Sequence, residues 1–173
     1  MTLSGKMMVD LHDVVEELEK WETGKGVILK GSSGNFCSGG DLDFARQTGT
    51  AEEGYMMSSF MHHVLNKFQR LPLISVAVIE GIGALGGGAE LAVSCDFRLM
   101  SEKSKAFGFV HAKMGILPAW GGTTRLVEKI GYNKALDLLS SARILNPGEC
   151  LKIGLVDEVT KRLFKLSKLK FSS

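Results

Sequence analysis

A chain of 173 residues, 45% hydrophobic and 23% charged, is long enough for one domain with a sizeable core and is too apolar to be disordered. Its formal net charge of +2 gives no case for a nucleic-acid partner. That balance hides an asymmetry: the last stretch, "KRLFKLSKLKFSS", holds Lys161, Arg162, Lys165, Lys168 and Lys170 and no acid, which leaves 16 basic against 19 acidic residues before it.

Residues 6–22 place Met7, Met8, Leu11, Val14, Val15, Leu18 and Trp21 at helical spacing, with Asp10, Asp13, Glu16, Glu17 and Lys20 opposite; Gly24 and Gly26 are expected to end this helix. "GVILKG" then reads as a buried strand, and "SSGNFCSGGDL" as a loop. A second amphipathic helix is predicted from about Glu52 to Arg70, with Pro72 just past its end. "LISVAVIE" reads as a β-branched, buried strand, and "GGGAELAVSC" as a helix that starts on glycines. "DFRLMS" is a third strand, followed by helices at 121–130, 133–141 and about 147–153, and by the strand-like "GLVDEV". This alternation predicts an α/β domain with strands joined by helical crossovers. No repeat or low-complexity linker divides it.

Cys37, Cys95 and Cys150 lie far apart without a CxxC pair, so neither a disulfide framework nor a metal site is expected. Reduced thiols in an intracellular protein follow. "MTLSGKMMVDLHDVVEEL" has charges where a signal peptide needs an apolar run, and the most apolar window, 71–95, is broken by Glu80, Glu90 and many glycines. A cytosolic protein with no membrane span is the expectation.

Chemistry is suggested by two glycine-rich loops. "GIGALG" at 81–86 matches G-x-G-x-x-G after a strand, but the acid about 20 residues on, Glu102, sits in a polar "SEKS" turn, and a lone match carries little weight. A phosphate loop is excluded, because no G-K-[ST] follows. A third reading covers more. Glycines at a helix start leave backbone N–H groups unpaired and uncovered, and two such donors from different loops make an oxyanion hole. "NFCSGGDL" at 35–42 is the second loop, also placed after a strand and leading towards a short helical turn.

These segments carry a resemblance. "FCSGGDL" resembles the F-x-x-G-x-D-[LI] signature of the crotonase (enoyl-CoA hydratase/isomerase) superfamily, and "GALGGGAELAVSCDFRLMS" its G-x-[AL]-x-G-G-G-x-[ED]-L-x-x-x-C-D segment. "GILPAWGGTTRLVEKIG" and "GLVDEV" are similar to its later segments, in the same order. The resemblance covers roughly residues 1–159. It implies a crotonase-like (ClpP/crotonase) α/β fold of repeated ββα units over residues 1–159, with 160–173 as a basic tail outside the family pattern. It implies an acyl-CoA thioester as substrate, with coenzyme A part of that substrate and no separate cofactor or metal. It also implies a homotrimer or dimer of trimers. By motif match, Gly40 and Gly87 are the oxyanion donors, and Ser38, Gly39, Gly86 and Trp120 line the substrate.

The hydratases of the superfamily use two glutamates. One matches Glu90; the other falls in F-G-x-P-E, which here reads "FGFVH", so the position is His111. Water activation between two carboxylates is therefore disfavoured. Loss of CO2 from a malonyl-type thioester makes the same enolate without a base. The flanking segments "FQRLPLISVAVIEG" and "FVHAKMGILPAWGGTTRLVEKIG" most resemble members that decarboxylate ethylmalonyl-CoA and methylmalonyl-CoA, clearing side products of acyl-CoA metabolism. Two alternatives stay open: a hydratase- or isomerase-like activity on Glu90 alone, and a non-catalytic chain that binds CoA esters or family subunits.

Among single residues, Glu90 is expected either buried, where a carboxyl holds its proton and can act as an acid, or exposed in the first turn of a helix. His111 reads equally as a site or a surface residue, and His62 and His63 as surface or core. Trp120 is expected in the acyl pocket or the core, Asp41 as a cap, and Arg98 in a structural pair with Asp96 nearby. Against the family pattern the chain is expected to lack N-terminal strands and C-terminal helices, exposing a sheet edge and part of the core. "EGIGALGGG" is one residue longer than the family spacing, which predicts a displaced Gly87 loop. Leu163, Leu166 and Leu169 are spaced for an amphipathic helix in the tail.

Overall fold

The computed structural model describes residues 2–41 and 50–161. The helix expected at 163–169 and the turn expected after Asp41 lie outside the described residues.

The strands are β1 (Gly26–Lys30), β2 (Ile74–Ile79), β3 (Ala84–Leu85), β4 (Phe97–Ser101), β5 (Phe107–Gly108) and β6 (Glu158–Thr160). The helices are α1 (Gly5–Glu19), α2 (Ala51–Gln69), α3 (Gly87–Val93), α4 (Gly122–Ile130), α5 (Tyr132–Ser141) and α6 (Pro147–Ile153). Local chemistry sets several boundaries. Ser4 caps α1, and Thr50 with Glu53 and Asn146 with Glu149 form capping boxes on α2 and α6. Two expected boundaries are corrected. Helix α1 stops at Glu19, before Trp21, because Gly24 folds back against the Trp21 ring and its N–H donates to the Trp21 carbonyl. "GLVDEV" is a strand only from Glu158. Gly154 closes α6 in the left-handed region, and Leu155 N–H donates to the Cys150 carbonyl.

The main sheet is parallel, in the order β1-β2-β4-β6. A second, shorter ladder runs beside it. Leu3 bridges Gly40, Cys37 bridges Ala84, and β3 pairs β5, all in parallel, while Phe107 bridges Leu145. Strand β1 leads to residues 37–40, β2 to β3, and β4 to β5. After β3 comes α3, and after β5 comes α4. Repeated ββα units, expected from the resemblance, are thus present. Sequence periodicity missed β3 and β5, since two residues cannot show an alternation.

One face of the main sheet packs into the core through Ala77, Ile79 and Met100, against helix residues such as Val15, Met61 and Leu65. Lys67 of α2 ties the helical layer by bridging Glu16 and Glu19 of α1. The opposite face carries Ile28, Val76 and Phe97 in one cross-strand row, with Ile74 beside them. Ile28, Ile74 and Phe97 are 41%, 59% and 49% exposed, as expected for a sheet with part of its apolar surface uncovered.

Arg98 anchors the sheet to its last strand. Its Nε donates to the Leu155 carbonyl at 2.8 Å, Nη1 to the Cys95 carbonyl at 2.8 Å, and Nη2 to Asp157 Oδ2 at 2.7 Å. The carboxylate of Asp96 instead accepts from the Ser75 N–H and hydroxyl, so Arg98 pairs with Asp157 and touches only the Asp96 carbonyl. Removing the guanidinium leaves three carbonyls and a carboxylate short of donors in a largely buried setting. Arg98→Ala should cost about 3 kcal/mol and lower Tm by roughly 6–12 °C in thermal unfolding followed by circular dichroism. The thiols make a second prediction. Burial pushes Cys95 and Cys150 up to about 12 and also raises Cys37. At pH 8, iodoacetamide should label none of the three in the folded chain and all three in denaturant; fast labelling of the native protein would contradict this burial.

Candidate active site

The second ladder brings the two glycine loops together. Gly39 and Gly86 pack backbone against backbone, and a Cβ on Gly39 would lie 2.9 Å from the Leu85 carbonyl and 3.5 Å from the Gly87 nitrogen. The additional residue in "EGIGALGGG" therefore leaves the loops in contact. Leu3 N–H donates to the Gly39 carbonyl, and Asp41 N–H to the Leu3 carbonyl. In a parallel bridge of this kind Gly40's own N–H points to the side away from Leu3. Among the described residues neither the Gly40 N–H nor the Gly87 N–H has an acceptor. Ser38, half-buried, lies on the same loop.

Each glycine of the triplet answers a separate demand. Gly86 precedes α3 with φ 54 and ψ −124, a conformation open to glycine and strained for other residues. A Cβ on Gly87 would run into the ring of Trp120, and one on Gly88 into the Cys37 carbonyl. Trp120 is buried and covers Gly87, so it serves both the core and the site.

Glu90 lies on α3 and is 1% exposed, which rules out the exposed first-turn position. Its Oε2 accepts from the N–H groups of Trp120 and Gly122, each at 2.9 Å, at the start of α4. Its Oε1 lies 3.2 Å from His111 Nε2. Both backbone donors reach the same oxygen, Oε2, so Glu90 is held in place by the start of α4. His111 is buried too, in the single-turn 3-10 helix Val110–Met114, and its Nδ1 has no partner among the described residues. Val110, beside it, contacts Gly86. The structure therefore groups Gly39, Gly40, Gly86, Gly87, Glu90, His111 and Trp120. His62 and His63 are exposed on α2, apart from this dyad.

Sequence reasoning missed Gly122 and Arg125. A Cβ on Gly122 would sit 2.5 Å from Glu90 Cγ and 2.7 Å from Oε2. The signal was present, since α4 begins on two glycines with no Ser, Thr, Asp or Asn to cap it. Such a helix start has its donors satisfied from elsewhere, here by Glu90. Arg125, buried on α4, donates to the Trp120 carbonyl at 2.7 Å. A depression of about 920 Å³ lined by Trp21, Leu73, Ile74 and Phe97 opens at the N-terminal ends of the strands, away from these groups.

Among the described residues the arrangement offers two backbone donors without acceptors, beside a buried carboxylate–imidazole pair. It can hold a developing oxyanion and move one proton. Among the described residues there is no group of three or more His, Cys, Asp or Glu placed to hold a metal ion, and no helix long and apolar enough to cross a membrane.

Comparison with known proteins matches this picture. A sequence model described as enoyl-CoA hydratase/isomerase matches residues 2–167. The chain is 53% identical over 156 residues to the ethylmalonyl-CoA decarboxylases of Mus musculus and Homo sapiens, covering 90% of this chain and 48% and 50% of theirs. It thus spans about half the length of the curated relatives it matches. Among solved structures, an enoyl-CoA hydratase from Thermoplasma volcanium superposes with a TM-score of 0.86 at 27% identity, over 93% of this chain and 63% of that one. One from Bacillus anthracis gives 0.83 at 29% identity, over 92% and 61%.

Glu90 and Gly122 make a testable pair. Glu90→Ala should destabilise by about 1–3 kcal/mol, because two buried N–H groups lose their acceptor. Gly122→Ala should cost a similar amount, about 1–3 kcal/mol, by crowding. The double variant should lose clearly less than the sum, as the clash disappears with the carboxylate; strict additivity in denaturant unfolding would exclude the contact.

Proposed function

We propose that this chain, which belongs to the enoyl-CoA hydratase/isomerase family and has its crotonase fold, binds an acyl-CoA thioester and decarboxylates ethylmalonyl-CoA and its methylmalonyl counterpart. The curated relatives named for that reaction support the substrate. The observation that carries the reading is the pairing of two unoccupied backbone donors with a Glu90–His111 dyad where the family's hydratases have two glutamates.

In this reading the thioester oxygen accepts hydrogen bonds from the Gly40 and Gly87 N–H groups. Ser38, Gly39, Gly86 and Trp120 line the acyl group. The bond from Cα to the carboxylate breaks, CO2 leaves, and the electron pair moves into the thioester as an enolate. The glycine donors stabilise the charge where it develops, an effect of the order of 10²–10³ in rate per donor in other enzymes. No base is needed for that step. A proton then passes to Cα from the Glu90–His111 pair, giving butyryl-CoA. A second family activity, hydration of an enoyl-CoA, needs a water held between two carboxylates. Glu90 is instead engaged by an imidazole and two N–H groups.

We also take the protein to act in the cytosol as a trimer, a state size-exclusion chromatography would reveal. Purified protein incubated with ethylmalonyl-CoA should yield butyryl-CoA and CO2, and crotonyl-CoA should remain unhydrated. His111→Ala should slow decarboxylation by about 10²-fold. Turnover unchanged by that substitution would remove His111 from the mechanism, and hydration of crotonyl-CoA would favour the hydratase reading.

A further inference from the structure

Arg125 is 3% exposed, yet among the described residues no carboxylate lies within ion-pair distance of it. Each of its three nitrogens donates to a neutral acceptor: Nε to Gln69 Oε1 at 2.8 Å, Nη2 to Asn66 Oδ1 at 2.6 Å, and Nη1 to the Trp120 carbonyl at 2.7 Å. A cation held out of water without a contacting anion is costly, so its surroundings must compensate at longer range. Burial lowers its proton affinity and the charge of Glu90 raises it, with Glu128 of its own helix adding to the latter. The other titratable neighbour is His62 of α2, whose ring, like Nη1, borders Gly121.

The geometry links this cation to the dyad through one turn. Arg125 grips the carbonyl of Trp120, while the N–H groups of Trp120 and Gly122 grip Oε2 of Glu90. The second oxygen, Oε1, faces His111 Nε2. With Oε1 as the acceptor of this contact, Nε2 carries the hydrogen and Nδ1 is the free position. Nδ1 is the atom left buried and unpartnered.

We propose that Arg125 is a positioning residue that fixes the Trp120–Gly122 turn and through it the side chain of Glu90, so that Glu90 orients His111 and the Nδ1–H of His111 delivers the proton to the enolate. This deepens the decarboxylase reading and rests on it. The step balances: CO2 departs with loss of the Cα–carboxylate bond, the enolate electron pair takes the proton from imidazolium Nδ1, the thioester carbonyl re-forms, and neutral His111 regains a proton from water. Arg125 touches none of the reacting atoms.

The test uses the full chain and its Arg125→Gln and Arg125→Lys variants, labelled with 15N-histidine. Imidazole nitrogen spectra report the tautomer of His111, identified by its loss in His111→Asn. In the unaltered chain, neutral His111 should carry its hydrogen on Nε2. In R125Q the two tautomers should mix, the pH–rate profile for ethylmalonyl-CoA should move, and kcat should fall about 10–100-fold with KM within about threefold. R125K should recover part of kcat. A folded R125Q with unaltered tautomer signals and pH profile overturns the role of Arg125. If R125Q does not fold, the Asn66→Ala, Gln69→Ala double variant, which removes the two side-chain acceptors of the guanidinium, carries the same expectation and the same contrary result. The spectra need no turnover. An unaltered chain silent on ethylmalonyl-CoA therefore removes the decarboxylase reading and the proton's destination, whereas an unmoved tautomer removes Arg125.

Discussion

The carboxylate of Glu90 is withdrawn from water, and the arrangement of residues 86–125 follows from what that requires. A buried carboxyl group needs hydrogen bonds on its oxygens. The donors come from the uncapped start of α4, so the helix has no capping side chain and Glu90 serves as its cap from another element. Space for it exists only because residue 122 is glycine. On the far side of the turn, the Trp120 carbonyl binds a buried guanidinium that also engages two residues of α2. One carboxylate thus couples α3, α4 and α2, and its remaining oxygen sets the orientation of His111.

Position in the repeated units explains why the other groups meet there. Each unit sends one strand into the main sheet and one short segment into the second ladder. The functional groups sit at or just past the ends of these segments: Gly40 in one unit, Gly87 in the next, His111 in the third. Adjacent ladder segments lie about 4.8 Å apart, so groups at equivalent ends become neighbours despite separations of tens of residues. The close approach of Gly39 to Gly86 is this spacing expressed at backbone level.

The same architecture leaves a contrast between the two faces of the main sheet. The inner face is sealed by helices and holds Arg98, whose charge is met by carbonyls and Asp157. The outer face keeps Ile28, Ile74 and Phe97 in contact with water. Apolar side chains on both faces are what a parallel sheet covered on both sides requires.

The sequence by itself determined the helices α1 to α6, the main-sheet strands and the two glycine loops. Periods of 3.6 and runs of β-branched residues are local, and caps such as Thr50–Glu53 and Asn146–Glu149 span only four residues. Motif order carried the family, and with it Gly40, Gly87, Glu90 and His111 as candidates. Tertiary structure alone decided the short strands β3 and β5, the backbone donors on Glu90, its pairing with His111, the choice of Asp157 over Asp96 as the partner of Arg98, and the place of Arg125. These depend on which backbone donors and charges lie within about 3 Å across separations of 20 to 60 residues, and no local pattern records that distance.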